Sequence, residues 1–308
     1  MKAPFDLLVV GEINPDIILR GADIVPAFGQ VEKLVDEANL TIGASSVITA
    51  CGAARLGLKV AFVGVVGDDL YGRFMLNALQ ERGIDTSHCI IDPDLQTGFT
   101  VILAKPDGDR AMLTFSGTIA ALKSEQIDRE LLTQAKHLHV GSYFLLDGLR
   151  PELPTLFEAA HAHGVTTSLD TNWDPQEQWA CDEILPHCDL LLPNDAEAMK
   201  VAGRADLETA VSHLSTIVPT LAVKCGADGG IGFQGGERVA LRPFPAQVVD
   251  TVGAGDSFNA GFLYGFIHNW PLAQSLQLAL ACGSLSTQAA GGTTAQPTLE
   301  EALSLIKQ

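Results

Sequence analysis

The sequence predicts an α/β fold in which a mostly parallel central sheet is covered by helices on both faces. Short apolar runs suited to strands alternate along the chain with stretches of helical periodicity. With 308 residues and 47% hydrophobic composition, the chain can bury one large core, so we expect a single domain over residues 1–308. The predicted strands are residues 7–10, 60–66, 137–140, 166–169, 190–192 and 221–223.

Helical periodicity covers six further stretches, several of which follow an Asn, Asp or Ser residue that can cap a helix. They are residues 46–56, 72–82, 152–163, 195–202, 206–217 and 255–267. Residues 257–299 contain no Asp, Glu, Lys or Arg, but Asn, Gln, His, Ser, Gly and Pro interrupt them repeatedly. We therefore expect buried helices there and not a membrane span.

Two stretches, about residues 12–42 and 97–116, break this alternation and predict a small antiparallel sheet outside the central one. Residues 98–104 and 111–115 have strand-like patterns, and the sequence at 106–109 is typical of a turn. A small sheet beside the carboxyl ends of parallel strands can cover a ligand crevice, so we expect it to act as a lid.

The chain is acidic, with a formal net charge of −18. Nucleic acids and anionic lipid surfaces are bound by clustered Lys and Arg, so we expect neither as a partner. A small anion such as ATP is compatible, because backbone N–H groups and magnesium can supply positive potential. Six cysteines without a CxxC pair, and an N-terminus that runs directly into a predicted strand, predict a cytoplasmic protein without a signal peptide.

The strongest chemical signal is the run Asp250-Thr-Val-Gly-Ala-Gly-Asp256, which leads into a predicted helix. Gly253 and Gly255 allow the backbone to approach a ligand, and the N–H groups at a helix start can hold phosphate oxygens. Asp256 would lie beside the bound anion, where a carboxylate can accept a hydroxyl proton as that oxygen attacks phosphorus. On spacing alone, a simple helix cap explains Asp256 nearly as well.

The same run resembles, position for position, the second signature of the ribokinase-like (PfkB) carbohydrate kinases, and other family motifs follow in order across essentially the whole chain. The resemblance implies a ribokinase-like fold and an ATP-dependent kinase for a hydroxyl of a sugar such as ribose or fructose. It implies that Asp256 is the catalytic base and that Gly253, Ala254 and Gly255 contribute the anion hole.

Polar residues near the start of the chain resemble the sugar-binding strand of this family. Asn14 and Asp16 occupy alternate positions of an extended segment, so both can face one ligand. The resemblance implies that they bind sugar hydroxyls. Without it, a solvated or turn-capping pair is at least as good an interpretation.

The first family signature is present but altered. It normally reads Gly-Gly, three variable residues and Asn, whereas here Ala44 follows Gly43 and Ile48 occupies the position of the sugar-binding Asn. Ser45 and Ser46 could supply hydroxyl contacts to the substrate, although a serine before a helix is more often a cap. The identity of the sugar therefore stays open.

Asn194 and Glu197 resemble the family's Asn-x-x-Glu motif, which organises Mg-ATP. Residues three apart lie on one face of a helix, where an amide and a carboxylate can both reach the water shell of Mg²⁺. Taken alone, the pair is equally well interpreted as an N-cap with an acidic first turn.

A second nucleotide motif is a strand followed by a glycine-rich loop. The residues that the resemblance assigns to ATP are Lys224, Gly226, Gly229 and Thr251. Gly230, Gly232 and Gly235 also spell the dinucleotide pattern GxGxxG, but residues 235–243 predict a hairpin turn and a second strand where that pattern requires a helix. The sequence also lacks the Gly-Lys-Ser/Thr of a P-loop.

The resemblance implies two further features. Asp250, together with carbonyl groups near Val252 and Gly291, is the expected site of a potassium ion beside the anion hole. Lids of ribokinase-like enzymes often dimerise, so a homodimer through the lid is also expected.

Other polar residues are weaker candidates. His137 and His139 form one HxH pair and residues 161–163 contain another, but no carboxylate or cysteine arrangement completes a metal site, which favours structural roles.

Asp170 and Asn172 follow a predicted strand at the end where ligands gather. In fructokinase-like and ketodeoxygluconate kinase-like members an Arg commonly follows such a run; its absence here disfavours an acidic sugar.

Three alternative functions are kept. The nearest is a nucleoside kinase of the same family, in which Phe28, Phe99 or Phe115 of the lid would stack on a base. The others are a nicotinamide-binding oxidoreductase and a non-catalytic sugar sensor.

Overall fold

A computed structural model describes residues 3–105 and 109–307; residues 106–108, on which most of the predicted turn falls, lie outside the described residues. The strands are β1 (Phe5–Val10), β2 (Pro15–Arg20), β3 (Glu37–Ile42), β4 (Val60–Val63), β5 (Val65–Gly67), β6 (Ile90–Asp92), β7 (Phe99–Ala104), β8 (Arg110–Phe115), β9 (Ala135–Val140), β10 (Thr166–Leu169), β11 (Leu190–Leu191), β12 (Thr220–Lys224), β13 (Gly230–Gln234) and β14 (Glu237–Leu241). The helices are α1 (Ser45–Arg55), α2 (Leu70–Glu81), α3 (Arg129–Leu132), α4 (Leu153–Ala162), α5 (Asp195–Ala202), α6 (Leu207–Leu214), α7 (Ala254–Ile267), α8 (Leu272–Ser286) and α9 (Leu299–Ile306).

The central sheet has eight strands in the order β14-β13-β12-β11-β10-β9-β1-β4. The six strands from β12 to β4 pair in parallel, and the β13–β14 hairpin adds two antiparallel strands at one edge. The predicted mostly parallel α/β sheet is therefore confirmed. Among the described residues, no helix is long and apolar enough to cross a membrane.

Two hydrophobic cores lie on opposite faces of this sheet. On β1, Leu8 and Val10 belong to one core with α3, α4, α5 and α6, whereas Leu7 and Val9 belong to the other with α1, α2, α7, α8 and α9. All four side chains have no solvent exposure, and full burial of each such side chain stabilises the fold by about 1.5–3 kcal/mol. Helices on both faces are thus confirmed, and α7 and α8 account for most of the uncharged stretch at residues 257–299.

The strand predicted over residues 60–66 is divided in two by Gly64. A Cβ on Gly64 would lie 2.6 Å from the Gly11 carbonyl oxygen, so the backbones meet too closely for any other residue. The chain therefore leaves the central sheet after β4, and β5 pairs with β6 instead.

The small sheet has the order β3-β2-β7-β8. Its outer pairs are antiparallel, as predicted, while the central pair β2–β7 is parallel, because these two strands come from separate segments that no hairpin joins. Asp16, Ile18 and Ile102 are buried on the inner face of this sheet. Ile17 and Val101 alternate with them and lie on the outer face.

Helices α7 and α8 pack with their backbones in close contact at Gly261. A Cβ on Gly261 would lie 2.8 Å from both Ala279 Cα and the Leu278 carbonyl oxygen. We expect Gly261→Ala to lower the free energy of unfolding by about 1–3 kcal/mol, because the two backbones must separate. Urea denaturation measures this loss.

Gly283→Ala on α8 is the matched control. Its added Cβ would be 3.2 Å from the Ala254 carbonyl oxygen, which is tight but not colliding. The better helix propensity of alanine, worth about 1 kcal/mol, offsets this contact, so little net change is expected. Equal stability of the two variants would contradict the close α7–α8 contact.

Candidate active site

Polar side chains meet where the parallel strands of the central sheet end. Glu12 follows β1, Ser142 follows β9, Asp170 follows β10, and Lys224 ends β12. The carboxyl ends of parallel strands meet at one edge of a sheet, and ligands of open α/β folds bind at that edge. The N-terminus of α7, with Asp256 in its first turn, lies at the same edge.

The turn that opens α7 brings backbone amides to this edge. Gly253 has φ 72°, and a Cβ on it would lie 2.6 Å from Gly292 Cα, so a glycine is required for conformation and for space. The amides of Gly255 and Asp256 lie in the first helical turn, where N–H groups have no acceptor within their own helix. Residues 253–256, named here the anion-hole turn, can therefore bind a phosphate oxygen.

Asp256 is held by Ser45, whose Oγ donates a hydrogen bond to Asp256 Oδ1. The pKa of Asp256 is raised to about 7, chiefly by burial; the Ser45 hydrogen bond opposes this rise, and the nearby Asp170 carboxylate contributes to it. An aspartate with such a pKa exchanges its proton near neutral pH, which is suitable for a general base. The simple cap interpretation gains no support, because the N-cap Gly253 receives no side-chain hydrogen bond.

A buried ion pair underlies the anion-hole turn. Lys224 Nζ donates to Asp170 Oδ2 at 2.6 Å, and Asn259 Nδ2 donates to the same oxygen. Asp170 has no solvent exposure, and the Lys224 side chain is 12% exposed. Burial lowers the pKa of Lys224, but the carboxylates of Asp170 and Glu197 outweigh it, so the lysine pKa lies above its usual value. A positive charge is thus fixed beneath Gly255.

The sequence singled out Lys224 and Asp170 separately but missed their pairing and Asn259. The lysine side chain passes under the turn, since a Cβ on Gly255 would lie 3.3 Å from Lys224 Cδ. Strand β11 separates β10 from β12 but has only two residues, so Lys224 can reach Asp170 across its end. Strand order is a tertiary property, so no local pattern reveals this contact.

Glu12 is a second functional candidate that sequence reasoning missed. It is 3% exposed and accepts hydrogen bonds from Ser46 N, Ser46 Oγ and Ser142 Oγ, at 3.1, 2.6 and 2.7 Å. Burial raises its pKa, while these donors lower it. Asn172 Nδ2 donates to Ser142 Oγ, and Ser45 Oγ lies 3.5 Å from Asn172 Oδ1. Side-chain hydrogen bonds therefore connect Glu12 with the serine that holds Asp256.

The predicted sugar-binding residues lie beside this network. Asn14 and Asp16 are 4% and 8% exposed, and Asn14 Nδ2 donates to the Pro15 carbonyl, at 3.4 Å. Burial raises the pKa of Asp16 to about 7. Gly43 gives the Asp16 carboxylate its space, because a Cβ there would lie 2.3 Å from Asp16 Oδ1. Ser46, by contrast, is fully buried and its hydroxyl is used by Glu12.

The altered first signature has visible structural effects. Ala44 adopts φ 64°, a conformation that glycine tolerates and alanine enters at a cost of about 1–3 kcal/mol. Ile48 is 3% exposed, and a Cβ on Gly292 would lie 2.6 Å from Ile48 Cδ1. An apolar side chain therefore packs beside Gly292 where the family signature has a polar amide.

Asn194 and Glu197 form a capping box at the start of α5. Asn194 Oδ1 accepts from Glu197 N, and Glu197 Oε2 accepts from Asn194 N, both at 2.8 Å. Burial raises the pKa of Glu197 to about 7, although Lys224 lowers it. The structure therefore confirms the capping interpretation. The capping box uses Glu197 Oε2, so Oε1 is the oxygen that can accept a hydrogen bond from a water molecule bound to Mg²⁺. A protein-bound Mg²⁺ usually keeps several of its waters. In the described part of the chain, no three His, Cys, Asp or Glu side chains form a metal-binding group.

The glycine-rich segment after Lys224 forms a hairpin. Gly226 and Gly229 have φ 52° and 97°, and a Cβ on Gly229 would lie 2.0 Å from the Leu241 carbonyl oxygen. Strands β13 and β14 follow, as predicted from the sequence, so the GxGxxG match does not open a helix. Thr251 is exposed beside the anion-hole turn.

The histidines of the first HxH pair have structural partners. His137 Nε2 and His139 Nδ1 both contact Ser168 Oγ, at 2.7 and 2.8 Å, and burial lowers the pKa of His139 to about 4. Neutral buried rings between strands β9 and β10 agree with the structural role expected for them.

Asp250 is fully engaged at the other side of the anion-hole turn. Arg20 Nη2 donates to Asp250 Oδ2 at 2.6 Å, Gly291 N donates to the same oxygen, and Val252 N donates to Oδ1. The carboxylate expected to hold a potassium ion therefore carries an arginine counter-ion.

The Asp170–Lys224 pair provides a stability test of this site. We expect Lys224→Met to lower the free energy of unfolding by about 3–5 kcal/mol, because Asp170 stays buried without its cation. Lys224→Met combined with Asp170→Asn should cost less than the sum of the two single changes. Urea denaturation of the four proteins measures this coupling.

Lys136→Met is the matched control, because Lys136 pairs with Asp6 at the same 2.6 Å distance but is 37% exposed. Its loss should cost less than about 1 kcal/mol. Similar losses for both lysines would contradict the special role of the buried pair.

Comparison with known proteins agrees with this geometry. A model of the pfkB family carbohydrate kinases matches residues 5–299. A 5-dehydro-2-deoxygluconokinase of Geobacillus thermodenitrificans is 31% identical over 97% of this chain and 92% of its own length, and a Klebsiella pneumoniae fructokinase is 33% identical over 83% and 88%. The structure of Arabidopsis thaliana ribokinase complexed with ribose and ATP superposes with a TM-score of 0.87 at 25% identity, covering all of both chains. The chain therefore belongs to the pfkB family of carbohydrate kinases, has a ribokinase-like fold, and is an ATP-dependent sugar phosphotransferase.

Proposed function

We propose that this kinase transfers the γ-phosphate of ATP to a hydroxyl of a neutral sugar such as ribose or fructose, with Asp256 as the base. The observation that supports it is the position of Asp256 in the anion-hole turn, with its carboxylate oriented by Ser45. A base must lie within hydrogen-bond reach of the hydroxyl whose oxygen attacks phosphorus. The adjacent backbone N–H groups can then donate hydrogen bonds to the oxygens of the transferring phosphoryl group.

Asp256 accepts the hydroxyl proton as the sugar oxygen attacks phosphorus. Amides of residues 253–256, including Gly255, stabilise the charge that develops on the transferring phosphoryl group. The buried ammonium of Lys224 beneath Gly255 offsets the negative charge of the carboxylates around the site. Fixed charges and dipoles of this kind need no reorganisation during the reaction.

ATP would be held by the segments at residues 224–229 and 250–256, with Thr251 at the exposed rim. Glu197 Oε1 and Asn194 would contact the water shell of one Mg²⁺, which when bound neutralises the phosphate oxygens. Glu197 must be ionised for this role, and a nearby divalent cation favours its ionised form.

The sugar would lie between the central sheet and the inner face of the small sheet. The Asn14 amide donates hydrogen bonds to the sugar hydroxyls, and the Asp16 carboxylate accepts hydrogen bonds from them. Gly43 keeps the space beside Asp16 open, and Ser45 is the more accessible of the two serines. The segments 12–42 and 97–116 thus act as a lid inserted into one domain of residues 1–308. Its closure excludes water and limits wasteful ATP hydrolysis.

A neutral sugar is favoured over an acidic one. Lys224 and Arg20 are already paired with Asp170 and Asp250, so neither is available as a bidentate partner for a substrate carboxylate. Arg110, on the inner face of the small sheet, acts on the Asp16 carboxyl group and opposes the rise of its pKa. The name of the Geobacillus relative specifies an acidic sugar, so substrates of both kinds belong in the test.

The nucleoside alternative has weaker support. Phe99 and Phe115 contact each other at 5.6 Å between ring centroids, and they alternate with Thr100, which pairs with the inward-facing Asp16. Both rings therefore lie on the outer face, away from a base bound beside Asp16. Phe28 is fully exposed.

Phosphorylation of ribose, fructose, adenosine and 5-dehydro-2-deoxygluconate tests the proposal. We expect ATP-dependent turnover with a neutral sugar to exceed that with adenosine or with the acidic sugar. Preference for adenosine would establish the nucleoside alternative. Tight NADH binding without ATP binding would favour an oxidoreductase.

Asp256→Asn should lower turnover by about 10²–10⁴-fold while ATP binding survives, because the base is lost and the anion-hole turn is kept. In the unmodified enzyme, Asp256 is protonated below its pKa of about 7, so kcat/KM should fall as pH decreases through that value. Steady-state kinetics from pH 5 to 9, about two pH units on each side of this pKa, measures the turnover and the pH profile. Calorimetry measures ATP binding by the variant.

The control is Glu300→Gln, which removes an acidic side chain from the first turn of a different helix, α9. This change should leave turnover and the pH profile as in the unmodified enzyme. Turnover of Asp256→Asn equal to that of the control would end the assignment of Asp256 as base.

A homodimer through the lid is supported by the outer face of the small sheet. The apolar side chains on this face are Ile17, Leu19, Leu40, Val101, Leu103 and Leu113. Leu40 and Leu113 are 42% and 63% exposed. A contiguous apolar patch of this kind is typical of a protein–protein interface, and in a symmetric dimer the same patch serves both partners.

Leu113→Glu should convert the dimer to a monomer, because each subunit would bury an unpaired carboxylate in the interface. Sedimentation equilibrium measures the association state. Ile91 lies on β6, outside the small sheet, and is 56% exposed. The control variant Ile91→Glu should therefore stay dimeric. A monomeric unmodified protein, or a dimeric Leu113→Glu variant, would contradict this interface.

A further inference from the structure

The contact between Arg20 and Asp250 joins parts of the chain that are 230 residues apart. Arg20 ends strand β2 of the small sheet, and Asp250 begins the run that leads into the anion-hole turn. The 2.6 Å distance between Arg20 Nη2 and Asp250 Oδ2 is that of a short, charge-assisted hydrogen bond. The Asp250 side chain is only 8% exposed, so solvent screens this pair weakly.

The carboxylate of Asp250 is also held by two backbone amides. Val252 N donates to Oδ1 and Gly291 N donates to Oδ2, each at 3.0 Å. With the Arg20 guanidinium, both oxygens of the carboxylate are engaged by donors. The negative charge is therefore balanced from within the chain.

This arrangement does not fit a potassium ion at Asp250. Such an ion needs a carboxylate oxygen, and both oxygens of Asp250 already accept hydrogen bonds from Arg20, Val252 N and Gly291 N. The ion would also lie a few ångströms from the guanidinium, where two positive charges repel strongly in a site with little solvent.

We propose that Arg20 is the resident counter-ion of Asp250 and that the kinase works without a bound monovalent cation. Arg20 is a positioning residue: it fixes Asp250, which in turn orients the backbone that leads to the anion-hole turn. Because Arg20 belongs to the small sheet, the same contact also couples that sheet to the phosphate-binding end of α7. The kinetic part of this inference rests on the proposed function, whereas the cation-binding part does not.

The first test compares salts on the unmodified protein. Sugar phosphorylation and the thermal unfolding midpoint are measured in about 100 mM KCl, NaCl or tetramethylammonium chloride, at equal ionic strength. Rates within about twofold and equal midpoints are expected, since a cation that binds only the folded protein would raise its midpoint. Stimulation by about tenfold or more, or a K⁺-specific rise in the midpoint, would overturn the proposal.

The second test removes the guanidinium. Arg20→Met should lower turnover by about tenfold or more, with part of the loss restored by KCl but not by tetramethylammonium chloride, because the Asp250 charge then lacks a partner. Arg20→Lys keeps the charge and should stay insensitive to the salt. Arg73→Gln breaks an exposed Arg–Asp pair with a 2.8 Å contact to Asp68 and should behave as the unmodified enzyme.

Full activity of Arg20→Met in tetramethylammonium chloride, or a loss that K⁺ does not relieve, would contradict the counter-ion role. If no sugar is phosphorylated in any salt, the proposed function fails, while the thermal midpoints still decide whether the protein binds the cation.

Discussion

The hydrogen-bonded ion pair between Lys224 and Asp170 is the contact on which the rest of the site depends. The lysine ends β12, the aspartate follows β10, and Asn259 of α7 donates to the same carboxylate, so the pair links two strands to the helix that carries Asp256. Neither charge would be stable alone at this depth, because an unpaired buried charge is strongly destabilising. Placed together, they fix a positive charge under Gly255 in a chain whose net charge is −18.

Fixed charges also determine the properties of the carboxylates around this pair. The pKa values of Asp256, Asp16 and Glu197 are raised to about 7, chiefly by burial and in part by nearby carboxylates. For Asp256, the base that we propose, this places proton acceptance near neutral pH, where a base is both sufficiently basic and sufficiently ionised. Glu12 contributes indirectly, since hydrogen bonds through Ser142 and Asn172 connect it with Ser45.

The altered first signature shows how a family scaffold accommodates a local change. Ala44 adopts a positive φ that favours glycine. The backbone conformation there is therefore one suited to the glycine of the family signature, although the side chain differs. Ile48 packs beside Gly292 and removes a polar group from the site. In the mechanism that we propose, a kinase reaction is compatible with both changes, because phosphoryl transfer depends on the anion-hole turn and the base, whereas the choice of sugar depends on the groups that line its pocket.

The sequence by itself determined the α/β class, the central strands, most of the helices and the run from Asp250 to Asp256, because these are local patterns of hydrophobicity and turn chemistry. It also identified Asn194 and Glu197, although their capping box was one of two interpretations. Only the tertiary structure decided which groups meet: Lys224 with Asp170 across the short β11, Ser45 with Asp256, and Arg20 with Asp250. These partners are brought together by strand order and by the position of the small sheet, which residues far apart in the chain determine jointly.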